Sequence, residues 1–356
     1  QSSYGKIKKE LSITNMQVFT EDEHYFGVDL GNSGIRLVEL KHIHDKPTLV
    51  TYGDIELPQG ILSSDAPADL ERVAAAVKQL SSDARVSTKN VVAGLPASKV
   101  FASIIKMPQM TEQEIAHSIR YQADKYIPMP LDQVKLDFTK ITQDKTVPEI
   151  DVLLVATPTV VANKYLGIFQ SAGLELMALD VNAIAQARAM VPAADMDVVV
   201  VDFTSLTTDI ALVSKGVTGL IRSVNIGAKS LIRVTAQNLG LDEVQAEQFV
   251  RKFGMTQTKL EGQVFRAMKP LIDNVVDEIR KSVDFFYSQG NPGKIEKIVI
   301  TGGPAAMPEL PVYLANAIGL AVEMGNPWQK ISYSRDFTDR LAGMALSYST
   351  AVGLAL

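Results

Sequence analysis

The strongest constraint on the fold of this chain is one device that occurs in both halves: an apolar strand ending in a carboxylate, a turn of small polar residues, and a returning strand. In the first half, Gly27-Val28-Asp29-Leu30 runs into Gly31-Asn32-Ser33-Gly34 and returns through Ile35 and Arg36. In the second, the apolar run Val198–Val201 closes on Asp202, turns through Thr204–Thr208 and returns from Asp209. Small residues in such a turn let backbone N–H groups approach an anion with no side chain in the way. A third element, Ile298–Thr301 followed by Gly302-Gly303-Pro304, gives a strand end on which a flat base or ribose can lie. Taken singly, each has a plainer reading: an ordinary hairpin, a Ser/Thr turn bonding its own backbone, a tight strand-to-helix turn. Their order and their lobe-sized separation favour a ligand cleft between two lobes.

Length agrees, since 356 residues exceed the roughly 100 to 200 of a single domain. With 46% hydrophobic and 21% charged residues the chain has a globular composition. A net charge of −5 offers no basic stripe for nucleic acid. Cysteine is absent, which removes disulfides and thiolate metal sites, and no apolar run of about 18 residues is present. A soluble, cytoplasmic protein is expected, with residues 1–24 as a polar tail.

The pattern predicts an antiparallel meander over 25–56 and a helix over 68–81, with Leu70, Val73, Val77 and Leu80 on one face. Within 90–177 it predicts strands over 91–95, 98–106, 134–142 and 150–157 and helices over 111–126 and 160–172. Thr111 and Glu114 form a capping box at the start of the helix over 111–126. A helix over 181–190 follows, then strands over 198–202, 209–214 and 217–225. A helical region over 228–288 is expected to break at Gly240, Gly254, Gly262 and Pro270, ahead of a strand over 297–301 and a helix from about Pro308. His42 and His44 lack a nearby third metal ligand and read as a solvated strand end; Trp328 reads as a packing residue.

These residues resemble the actin, Hsp70 and hexokinase superfamily, an α/β fold of two lobes. Asp29, Gly31, Asn32, Ser33, Gly34 and Arg36 match its phosphate-one hairpin. Asp202 and Thr207-Thr208-Asp209-Ile210 match phosphate two, and Gly302 and Gly303 match the adenosine motif, with Thr204, Ser205 and Pro304 beside them in the expected cofactor site. The resemblance implies ATP or ADP with Mg2+, Asp29 and Asp202 reaching the metal through water, and Asp180 at the first connecting helix as the candidate for positioning an attacking water. One departure stands out: where phosphate two carries glycines, this chain has Thr204, Ser205 and Leu206, so nucleotide holding with slow hydrolysis is the expectation.

Within that superfamily, Leu95-Pro96, Ile105-Lys106-Met107-Pro108, Ile119-Arg120-Tyr121-Gln122-Ala123, Tyr126-Ile127-Pro128-Met129-Pro130-Leu131 and Val152–Pro158 resemble the PilM family. There, as in the FtsA family, this block is a subdomain 1C that replaces 1B of actin. Ile226–Ser230 and Ala246–Gly254 are similar to the nucleotide-facing subdomain 2B, which brings Gly227, Lys229, Glu247 and Lys252 into the expected cofactor site. The implied division is a tail (1–24), 1A (25–89), 1C (90–177), a connecting helix returning to 1A (178–196), 2A (197–225 and 296–338), 2B (226–295) and a C-terminal connector of 1A (339–356). The implied function is that of a cytoplasmic component of the type IV pilus inner-membrane platform. It would hold the N-terminal tail of a PilN-like membrane protein beside 1C and reach the membrane only through that partner, with pilus assembly ATPases and a homo-oligomer or ring as further associations. An FtsA-like filament-forming membrane tether and a small-molecule kinase of the same fold remain open alternatives.

Overall fold

The structure is a computed structural model that describes residues 24–44, 46–141, 146–191, 196–288 and 293–356. The expected N-terminal tail lies outside the described residues apart from its last position.

Strands β1 (Phe26–Gly31) and β2 (Gly34–Ile43) form the first hairpin, with Asp29 opposite Arg36 and Gly31 opposite Gly34. β3 (Lys46–Glu56) extends it antiparallel, and helix α1 (Pro67–Asp83) leads to β4 (Asn90–Leu95), which lies parallel to β1. Val73, Val77 and Leu80 of α1 recur at helical spacing and are buried, so that one face of the helix seats on the sheet.

The chain then builds a separate three-stranded antiparallel sheet from β5 (Phe101–Pro108), β6 (Val134–Lys140) and β7 (Glu149–Pro158), in the order β5-β7-β6, with helix α2 (Glu112–Ala123) inserted after β5. The capping box at Thr111 and Glu114 forms as the sequence predicts. Alternation along β7 gives this sheet two buried faces. Val152, Leu154 and Ala156 join Ile115 and Ile119 of α2 in a small core, whereas Leu153 and Val155 belong to the main core of the molecule.

Helix α3 (Thr159–Ala172) ends at Gly173 in a left-handed conformation, and β8 (Glu175–Val181) closes the first five-stranded sheet in the order β3-β2-β1-β4-β8. The sequence reading missed β8. Because β4 and β8 both belong to the first sheet, the block expected over 90–177 divides: its separate sheet lies within 101–158, and its ends are part of lobe one.

After helix α4 (Asn182–Met190), the second lobe repeats the plan of the first. β9 (Val198–Phe203), β10 (Thr208–Ser214) and β11 (Val217–Val224) form the meander; helices α5 (Ala228–Leu239), α6 (Glu243–Phe253) and α7 (Gln263–Ser288) follow; β12 (Lys297–Thr301), α8 (Leu310–Ile318) and β13 (Ala321–Met324) complete a sheet in the order β11-β10-β9-β12-β13. In both sheets an antiparallel meander is continued by two parallel strands. Pro270 does not break the helical region as expected, because α7 runs through it. A proline inside a helix costs about 3 kcal/mol. Burial of Val264, Met268, Ile272, Val275, Ile279 and Phe286 along one face outweighs that loss.

Helix α9 (Thr338–Ala355) packs across α4 and β1. The two helices touch where Gly353 meets Ala185 O, an approach that leaves no room for a side chain. The third sheet bears on the second lobe as well as the first: Ile104 of β5 faces Gly219 of β11, and Ile221 of β11 packs into the core that holds Leu153 and Val155. Among the described residues, no helix is long and apolar enough to cross a membrane.

Candidate functional site

The two hairpins bring their carboxylates into one electrostatic site. Asp29 lies near the end of β1 and Asp202 near the end of β9; both are only 8% exposed, and each stands near Arg36. Burial pushes the Asp29 carboxyl up to about 6, against the pull of the Arg36 guanidinium. Asp202 is pushed up to about 7, first by burial, then by the negative charge of Asp209 across the hairpin and by Asp29 from the other lobe. A hydrogen bond from Gln186 and the field of Arg36 oppose that rise. Two desolvated carboxylates that repel each other are a place where a cation relieves strain in the charge distribution.

The Arg36 side chain makes no hydrogen bond or ion pair among the described residues, although Asp29 is its cross-strand neighbour. The space above Gly31 is where the two functional groups converge: a Cβ there would lie 3.4 Å from Arg36 Nη1 and 3.7 Å from Asp29 Oδ2. Half-buried Asn32 and exposed Ser33 form the tip of this turn, and Ser33 O accepts from Leu57 N–H. The first hairpin therefore presents a guanidinium and a carboxylate side by side at a turn of small residues, where Gly34 O closes in to 3.1 Å of a Cβ at Gly31; a guanidinium with a carboxylate fits a phosphate with a hydrated cation.

Gly302 sits directly against Asp202. Its φ of 86° belongs to the left-handed region, and a Cβ would lie 2.5 Å from Asp202 Oδ1 and overlap Phe203 O. Thr301 is the register partner of Asp202, so the strand end carrying Gly302, Gly303 and Pro304 is locked beside the second carboxylate. Gly303 has open space where its side chain would be.

The sequence reading missed Gln186. This residue of α4 is 2% exposed, and its Nε2 lies 2.7 Å from Asp202 Oδ2 and 2.9 Å from Thr350 Oγ1 on α9. It ties the carboxylate of one lobe to a helix of the other. A buried amide in an otherwise alanine-rich helix face was the available signal, but its partners come from distant parts of the chain.

The second turn brings Thr204, Ser205 and Thr207 together with Gly227 and Lys229 in a self-bonded arrangement. Thr204 N–H donates to Thr207 O, and Thr204 Oγ1 accepts from the N–H groups of Leu206 and Thr207. Ala228 and Lys229 N–H donate to the carbonyls of Thr204 and Ser205, so that the turn caps α5. Glu247 and Lys252 have local partners on α6: Glu247 pairs with Arg251 at 2.6 Å, and Lys252 lies 5.4 Å over the Phe253 ring. The end of α6 docks on the 302–308 segment, where Met255 N–H bonds Pro308 O.

Asp180, the residue expected to position a water, sits in a buried ion pair. It lies in β8, is 1% exposed, pairs with Arg188 Nη2 at 2.6 Å, and accepts Val181 N–H at its other oxygen. Arg188 also donates to Gly353 O, so the Asp180–Arg188 pair ties β8 and α4 to α9.

Among the described residues, no cluster of three or more His, Cys, Asp or Glu side chains could hold a metal. Two carboxylates joined by water and phosphate oxygens are nonetheless a donor set that Mg2+ accepts.

Comparison with known proteins agrees with this architecture. A solved PilM-PilN type IV pilus biogenesis complex contains a chain 25% identical, superposing with a TM-score of 0.80 over 94% of this chain and 98% of that one. The ethanolamine utilization protein EutJ from Carboxydothermus hydrogenoformans is 15% identical, with a TM-score of 0.54 over 96% and 93% of the two chains, and shares the fold alone. The two lobes, each a meander continued by parallel strands, have the actin-like ATPase architecture. The profile of the type IV pilus assembly protein PilM family matches residues 27–356, and the chain belongs to that family.

Proposed function

We propose that this chain is a nucleotide-gated grip on the cytoplasmic tail of a PilN-type membrane protein. The solved relative is a complex of PilM with PilN; here the tail would lie in a groove beside the third sheet. Mg2+ bound with ATP would neutralise phosphate charge between the lobes. Asp29 and Asp202 would hold its water shell, Arg36 would meet phosphate oxygens, and the Gly302-Gly303 strand end would accept the base or ribose. Gly31, Asn32, Ser33 and Gly34 would cradle phosphate from lobe one, with Lys229 approaching from lobe two. Association with the inner membrane would run through the partner.

One observation carries the coupling: the third sheet packs against both lobes, with Ile104 on Gly219 and Ile221 within the shared core. Lobe closure moves β11 against β5, so a nucleotide that favours the closed form changes the groove by differential affinity. Reciprocity follows: a tail that binds the closed form better tightens nucleotide binding by the same factor.

The test is a calorimetric titration with a peptide copied from the N-terminus of the PilN-type partner, with and without Mg-ATP. Binding whose affinity changes with Mg-ATP is the expected result. Equal affinity in both conditions removes the coupling, and absence of binding in both removes the partner.

A further inference from the structure

The second turn carries its own acceptor. Thr204 Oγ1 lies 3.2 Å from Leu206 N and 3.0 Å from Thr207 N, accepts both N–H groups, and donates to Thr207 O at 2.9 Å. Two amides that a turn of glycines would leave open to an anion are thus satisfied by a neutral hydroxyl. On its other side the turn is clamped to α5: a Cβ on Gly227 would come within 2.6 to 2.7 Å of the Leu206 and Thr207 backbone, so the two segments lie flat together. Lobe one is built the opposite way. The amides of Asn32 and Ser33 meet no acceptor among the described residues, and Arg36 stands unpaired beside them.

We propose that the Thr204 hydroxyl is a built-in stand-in for a phosphate oxygen, so that lobe two accepts the terminal phosphates of a nucleotide only when Thr204 turns away. The inference rests on the nucleotide reading of the cleft. It makes phosphate recognition one-sided, with lobe one always ready and lobe two self-quenched, which suits a protein that holds nucleotide and turns it over slowly. An ordinary Ser/Thr turn makes the opposite prediction: loss of the hydroxyl would only loosen the turn and weaken any ligand it touches.

Thr204→Ala removes the acceptor; Thr204→Ser keeps the hydroxyl, and Thr204→Gly is the second opening variant should the alanine variant fail to fold. Titration of the full chain with Mg-ATP and Mg-ADP is expected to show at least about tenfold tighter Mg-ATP binding in the opening variant, a smaller gain for Mg-ADP, and wild-type affinities in the serine variant. Hydrogen exchange without nucleotide should be fast at the amides of Leu206 and Thr207 in the opening variant and slow in the other two proteins. A folded opening variant that binds Mg-ATP no more tightly than wild type, while wild type binds, overturns the proposal and leaves the nucleotide site standing. If neither wild type nor an opening variant binds any Mg-nucleotide, the reading of the cleft falls and the proposal falls with it. Binding by the opening variant alone supports the proposal.

Discussion

Replacing Asp202 by asparagine should make the ligand-free protein more stable while removing its hold on Mg2+. The wild-type carboxyl has a folded-state pKa of about 7 against an ordinary value of 3.8. Between those values the folded state binds the extra proton, so stability falls as pH rises through the window and the full penalty is present above pH 7. At about 1.4 kcal/mol per pKa unit, the penalty is at most about 4 kcal/mol at pH 8 and under about 2 kcal/mol at pH 5. Asparagine keeps an acceptor for Gln186 Nε2, and its amide can donate towards Phe203 O, so the substitution removes charge with little loss of hydrogen bonding. Urea unfolding followed through Trp328, the only tryptophan and 1% exposed, reads the difference directly. Asp202→Asn should gain about 2 to 4 kcal/mol at pH 8 and markedly less at pH 5. A variant that is destabilised, or that gains equally at both pH values, would show that the fold does not penalise this charge, and the reasoning would fail.

The same two carboxylates set the pH dependence of ligand binding. With pKa values of about 6 and 7, the fraction of molecules carrying both charges rises roughly twentyfold between pH 6 and pH 8, so Mg-ATP affinity should rise by that order and the trend should flatten in Asp202→Asn. Gly302→Val should abolish nucleotide binding, because its Cβ would collide with Phe203 O and displace the Asp202 carboxylate; equilibrium titration that finds the affinity retained contradicts this placement. Arg188→Met should destabilise the chain by roughly 3 to 5 kcal/mol by leaving Asp180 buried and unpaired, and adding Asp180→Asn should recover most of the loss in a denaturation midpoint. Were Asp180 a water-positioning group, that double variant would regain stability without regaining single-turnover hydrolysis; if its structural role is the whole of its function, both return.

What was legible in the sequence was what short-range chemistry determines. Strands ending at Asp29 and Asp202, the turn at Gly31–Gly34, the glycines after Thr301 and the capping box at Thr111 each announce themselves within a few residues. The order of those devices was enough to expect two lobes and a cleft. Strands β8 and β13 escaped notice because each is a short segment next to a helix, where periodicity does not separate strand from helix. Pro270 misled because a local penalty was weighed without the long apolar face of α7 that overrides it. The remaining gaps are long-range pairings. Asp180 looked available until Arg188 came round one helix later to neutralise it, and Gln186 gained its meaning only from Asp202 and Thr350. Thr204 was visible as a departure from glycine, but the destination of its hydroxyl was not.

The central claim is that Asp29, Arg36 and Asp202 hold a Mg-nucleotide between the lobes. Arg36 is the sharpest probe, since its side chain makes no hydrogen bond or ion pair among the described residues and truncating it removes no bond from the fold. Calorimetric titration with Mg-ATP should give one saturable site on the wild-type chain and binding at least tenfold weaker in Arg36→Ala with unchanged circular dichroism. An Arg36→Ala variant that binds Mg-ATP as tightly as wild type would contradict the account.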